Sequence, residues 1–253
     1  MKSLLHTAHC PLPTAHRPLA TAEGGPPPLS AFRPAERRLI RRLNTPSKVQ
    51  RFLNNLPYNT EPPPWPATLR SFRGVVASGT AHCFESALAA ACILEQHGHP
   101  PLVVSFESID ELDHVIFVYR RAGRWGSVAR SRDPGLHGRK AVFPTVRALA
   151  LSYVDTYVDL SGRITGYALV NLQLLGRYDW RLASTNVWKA ERFLLDYPHR
   201  PIRSSDRRID TFRKRYRAFK ARYPDRKPVF YDGRRAWTEL PASFGPDWRT
   251  RPE

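Results

Sequence analysis

The chain has 253 residues, 42% of them hydrophobic, which is enough to fill the core of one generous domain. No stretch approaches the ~20 consecutive apolar residues that a membrane span requires. The formal charge of +18 invites a nucleic-acid reading, but only seven of the forty basic residues are Lys, a bias that fits coding preference better than a binding surface.

The first 34 residues contain seven prolines, a GGPPP run and no apolar periodicity, and predict a flexible arm. Leu4 and Leu5 are followed at once by His and Pro, which is not the apolar core of a signal peptide. With only three cysteines and no repeated spacing, a disulfide framework is not expected, and a soluble, cytoplasmic protein is. His97 and His99 follow Cys92 without a CxxC partner, so no zinc site is expected.

Residues 35–43 predict a short basic helix. A clearer one follows, with Thr45 as N-cap, Pro46 in the first helical position, and Val49, Phe52, Leu53 and Leu56 at helical spacing. The proline-rich PYNTEPPPWP is a loop. GTAHCFESALAAACILEQHGHPP predicts a helix from about His82 to Gln96, apolar nearly all round from Ala87 to Leu94 and therefore buried. Three extended segments come next, Leu102–Phe106, His114–Tyr119 and Trp125–Arg130, with a hairpin turn at Arg121-Ala-Gly123. Val146, Leu149, Ala150, Tyr153 and Tyr157 share one helical face, and another helix follows Ser184 and Thr185. In the last fifty residues Ile209, Phe212, Tyr216, Phe219 and Tyr223 form an apolar stripe in an Arg-rich helix. A buried helix followed by an antiparallel meander predicts the α+β class. The expected organisation is an arm over 1–34, a domain over 35–200 and a basic helical extension over 201–253.

Cys83 occupies the first turn of the buried helix. Unpaired N–H groups and aligned peptide dipoles favour a thiolate there, and the backbone N–H of Cys83 would face an oxyanion formed by its own attack on a carbonyl. Cys92, nine residues on at ~100° each, falls on the opposite side of the helix and reads as core packing. His114 opens an alternating strand after the acidic loop Asp110-Glu111-Leu-Asp113, where an imidazole can meet the helix N-terminus and take the thiol proton.

At these residues the sequence resembles the transglutaminase-like superfamily. The matching segments are TPSKVQRFLNNLPYN, AHCFESALAAACIL, DHVIFVYRRAGRWGSVARS and TVRALALSYVDTY, from about Thr45 to Tyr157. The resemblance implies a papain-like core, a buried helix packed on an antiparallel sheet, and a Cys–His–Asp arrangement acting on amide or related acyl bonds. Cys83 matches the nucleophile and His114 the base. The superfamily places an acid four residues beyond the Trp of the third strand, where this chain has Ala129. Asp133 is the nearest carboxylate and Ser131 a weaker acceptor, which leaves the third member open. Asn59 and Trp65, in the proline-rich loop, are candidates for a second oxyanion donor.

The leading expectation is a cysteine hydrolase or acyltransferase acting on a peptide or amide substrate, with no cofactor motif of the GxGxxG or Walker type. Two other readings stand beside it. The missing acid suits a scaffold on a catalytically decayed domain. The C-terminal basic helix, with sixteen Lys and Arg against seven Asp and Glu from Arg200 onward, suits nucleic acid or an acidic partner.

Overall fold

The structure is a computed structural model that describes residues 25–245 apart from 62, 63, 65, 112 and 160. Four helices come first. α1 (Pro34–Arg42) and α2 (Pro46–Asn54) each begin on a proline, whose missing N–H is not needed in a first turn. Thr45 caps α2 by accepting the Lys48 N–H at 3.3 Å. α3 (Phe72–Ser78) ends on Gly79, whose φ of +68° gives the left-handed turn that a helix C-terminus favours and an L side chain resists. That turn leads into α4 (Cys83–Glu95), buried from Phe84 to its end.

The strands β1 (Leu102–Ser108), β2 (His114–Arg121) and β3 (Arg124–Val128) form the expected meander. Ala122 and Gly123 both have positive φ, as a tight two-residue hairpin requires. Then come β4 (Arg139–Phe143), α5 (Val146–Tyr157), β5 (Ile164–Asn171), α6 (Trp188–Leu195), β6 (Arg200–Pro201) and α7 (Asp206–Arg222). The six strands lie in the order β4-β3-β2-β1-β5-β6, all pairs antiparallel. The protein is therefore α+β, with twice the strands that the sequence predicted. β5 is hidden in the sequence by Gly166, which interrupts its run of strand-forming residues beside Glu107 of the neighbouring strand.

Alternation along the strands builds two cores. Val103, Val115 and Phe117 join α4 and the N-terminal helices on one face of the sheet. Val104, Phe106 and Ile116 join Leu149, Tyr153 and Tyr157 of α5 on the other. Of the segment read as an arm, residues 1–24 lie outside the described residues, while Phe32 is buried and packs edge-on against Phe72 at 6.0 Å. At the other end, Phe212 of α7 packs with Tyr231, Trp237 and Leu240, and Arg208 forks onto Asp155 of α5 at 2.8 and 2.6 Å. Among the described residues no helix is long and apolar enough to cross a membrane.

Candidate active site

Cys83 sits at the first position of α4, and the chain before it is held from the side. Residue 58 bridges residue 81 in parallel, with Ala81 N–H on the Pro57 carbonyl (3.3 Å) and Asn59 N–H on the Ala81 carbonyl (3.2 Å). The anchor below is Glu85, fully buried one turn into the helix. Its carboxylate accepts from the His82 and Arg70 backbone N–H groups (both 3.1 Å), the Thr68 hydroxyl (2.8 Å) and the Asn59 amide (3.2 Å). A buried carboxylate with this many donors is satisfied, and it ties the 57–70 loop to the front of the helix.

Two imidazoles hold the half-buried sulfur. Burial alone would raise the Cys83 thiol, but hydrogen bonds from His114 and His82, reinforced by their charges, bring it well below the ordinary thiol range. His114 Nε2–H donates to the Leu136 carbonyl at 2.9 Å, and His82 Nε2–H to the Thr68 carbonyl at 2.8 Å. A carbonyl only accepts, so each Nε2 keeps its hydrogen and Nδ1 is left for the sulfur. A ring that takes the thiol proton on Nδ1 must then become an imidazolium. Burial lowers His82, but the hydrogen bond and charge of Cys83, then Glu85 and the Thr68 carbonyl, raise it to about 9.

The shell around His114 is built from the turn that follows β3. Phe106 stacks on the ring at 6.2 Å and 12°, and Tyr153 lies 6.1 Å away. Arg139, fully buried, clamps the turn on both sides of Leu136. Its Nη2 donates to the Gly135 carbonyl (2.5 Å) and its Nη1 to the His137 carbonyl (2.8 Å), which also takes the Tyr153 hydroxyl (2.9 Å). Among the described residues no carboxylate hydrogen-bonds this guanidinium; it lies over the Tyr153 ring at 4.0 Å, and burial brings it down to about 10. Gly135 lets the turn press on α5, since a Cβ there would meet Thr156 Cβ at 2.5 Å. With its two neighbours tied, the Leu136 carbonyl is presented to His114.

The group on the outer nitrogen of His114 is thus a backbone carbonyl, and the Asp133 carboxylate is elsewhere: it pairs with Lys227 Nζ at 2.9 Å. Ser131 lines the same cleft, but its hydroxyl accepts the Asp133 N–H (3.1 Å). Ala129, where the superfamily carries its acid, is capped by Gln50, which exchanges two hydrogen bonds with its backbone (3.0 and 2.8 Å). Asn59 commits its amide to Thr68 and Glu85. Trp65 lies outside the described residues. The residue beside Asn59 stands nearer the centre: Tyr58 lines the cleft with Cys83, and burial together with the Cys83 charge raises its phenol, which keeps its proton in place. Tyr58 and His82 were both inside quoted motifs. The sequence pattern marks neither, since a His next to a Cys has no fixed direction until the helix start is known.

Cys92 is the internal control. It is fully buried in the first core, and burial, then the Glu95 charge, raises its thiol well above the ordinary value. In the native protein Cys83 is expected to be carboxamidomethylated at neutral pH while Cys92 stays unmodified, as read by peptide mapping. Equal labelling of the two would remove the distinction.

The centre opens into a cleft of about 480 Å³ lined by the 58–61 loop, the β1–β2 loop, the 131–136 turn, the end of α5 and one face of α6. No family model and no curated protein matches the chain. Among solved structures it is similar to Legionella pneumophila LapG, at 14% identity over 60% of this chain and 90% of that one, with a TM-score of 0.33. The calcium-bound form of Legionella pneumophila LapG is similar at 14% identity over 66% and 93%, with a TM-score of 0.33. Both likenesses are distant and lie at the level of the fold.

Proposed function

We propose that the chain is a cysteine hydrolase or acyltransferase on a transglutaminase-like core, with Cys83 as nucleophile and His114 as acid and base. The observation that carries this reading is that Cys83 at the helix front and His114 line one cleft, with the far nitrogen of His114 fixed on the Leu136 carbonyl and the imidazole acting to lower the thiol. A backbone carbonyl cannot take the ring's proton, and its work is to hold tautomer and orientation, which is what the third member of a triad supplies.

The Cys83 thiolate attacks the carbonyl carbon of an amide and forms the C–S bond. The oxygen's developing charge is met by the Cys83 N–H, with the protonated Tyr58 hydroxyl as a second donor. His114 delivers its Nδ1 proton to the leaving nitrogen as the C–N bond breaks, which leaves a thioester and a free amine. Water or a second amine then attacks the thioester, giving its proton to His114, and the carboxylic acid or new amide departs as the thiolate is restored. His82 keeps a second positive charge beside the sulfur.

The test is the pH dependence of Cys83 alkylation by iodoacetamide. Because the thiol is depressed in the folded protein, the rate should reach its plateau at a pH well below that of an ordinary thiol and fall only on the acid side of it. Above about 9, His82 loses its proton and the thiolate one cationic partner, so the rate should rise again rather than saturate. A single rise centred on the ordinary thiol value would instead favour a binding scaffold without chemistry.

A further inference from the structure

The cleft that holds Cys83 is acidic in a protein of net charge +18. Seven carboxylates line it, against Arg132 as the one Lys or Arg among the described lining residues. Three of them are met by neutral donors: Asp110 takes the Ser108 and Tyr157 hydroxyls, Asp113 the Ser108 N–H, and Asp159 the N–H groups of Ser161 and Gly162. Asp133 pairs with Lys227. The field reaches the aromatic wall, where burial and then the Asp159 and Asp133 charges raise the Tyr216 phenol.

Nearest the sulfur the charge is paired across the cleft. Glu61, on the loop held by Glu85, lies 3.7 Å from His82 Nε2, and Glu191 reaches in from α6. Burial raises the Glu191 carboxyl, His82 lowers it and Glu61 raises it again, so the two carboxylates feel each other beside one imidazole. Trp188, three residues before Glu191 on the same helix face, is 52% exposed at the cleft rim. An exposed indole with a carboxylate one turn away suits a guanidinium or ammonium, by ring face and by charge. The carboxylates do not converge on a point: among the described residues no three His, Cys, Asp or Glu are grouped to hold a metal ion. Charge spread along a cleft suits an extended organic cation.

We propose that the acyl substrate is a basic peptide, with a Lys or Arg side chain beside the scissile amide seated between Glu61, Glu191 and Trp188. This rests on the reading of Cys83 as nucleophile. The remaining carboxylates of the cleft favour further positive charge along the chain.

The test uses the full chain and reads modification of Cys83 by peptide mapping. A trimethylammonium-ethyl thiosulfonate is compared with its sulfonate-ethyl counterpart, each normalised to free cysteine. The cationic reagent should win by about tenfold or more, and the ratio should shrink towards unity in Glu61→Gln/Glu191→Gln and in molar salt. Triarginine amide should shield Cys83 from iodoacetamide where tricitrulline amide does not, and Trp188→Ala should weaken that shielding. A ratio at or below unity, or equal shielding by the two peptides, overturns the proposal. So does shielding by calcium that matches triarginine and is reversed by a chelator, since an inorganic cation would then be the occupant. Slow reaction with every reagent removes the nucleophile and this proposal together; fast reaction without charge preference removes this proposal alone.

Discussion

Replacing His114 with alanine is expected to lower amide turnover by about 10²–10⁴, because the leaving nitrogen loses its proton donor and the water its base. The same substitution should move the Cys83 alkylation midpoint upward, since the first of the two hydrogen bonds that depress the thiol is gone. The midpoint should not return fully to the ordinary thiol value, because His82 still donates to the sulfur. His82→Ala is the complementary case. It should also raise the midpoint and abolish the second rise near 9, while turnover falls less than in His114→Ala. The measurement is a pair of pH–rate curves, one for alkylation and one for hydrolysis of a fluorogenic amide. If His114→Ala leaves both within about twofold of wild type, the pair is not a chemical unit.

The second large effect is expected at Arg139, which touches neither sulfur nor imidazole. Arg139→Met keeps the length and much of the volume of the side chain but removes the donors to the Gly135, His137 and Ser152 carbonyls. A buried acceptor left without a partner costs about 1–3 kcal/mol. The His137 carbonyl retains the Tyr153 hydroxyl and the Ser152 carbonyl lies within the α5 backbone ladder, so the Gly135 carbonyl is the orphan. Relief from burying the cation offsets part of that loss. A net destabilisation of about 1–2 kcal/mol follows, readable by denaturant unfolding. The consequence at the site is looser presentation of the Leu136 carbonyl, so His114 should hold the thiolate less well and the alkylation midpoint should rise. Arg139→Lys separates charge from geometry, because one ammonium cannot span both carbonyls as the fork does. A methionine variant of unchanged stability and unchanged midpoint would show that the turn orders itself without the clamp.

Local chemistry made a large part of this legible in the residues. The Pro46 start and Thr45 cap of α2, the Gly79 turn and the apolar run of α4 are short-range signals, and those helices form where the signals lie. The β1–β2–β3 meander was readable for the same reason, each strand alternating between two faces. β4, β5 and β6 were not: Gly166 breaks the pattern of β5, β4 carries no run of buried apolar residues, and β6 is two residues long. At the centre, the position of Cys83 at a helix start and of His114 at a strand start could be read in one dimension.

What only the tertiary structure decided is which groups surround them. Asp133, the expected acid, pairs with Lys227, and the far nitrogen of His114 meets a backbone carbonyl, which has no sequence signature, since every residue carries one. Its aim is set by Arg139, Gly135 and Tyr153, three residues whose roles exist only once β4, the turn and α5 are packed. The same holds for the second imidazole and for the Glu61–Glu191 pair, which stand 130 residues apart in the chain and face one cleft. A sequence specifies the chemistry of each side chain and its local direction. The field at the sulfur is a sum over neighbours in space, and folding chooses those neighbours.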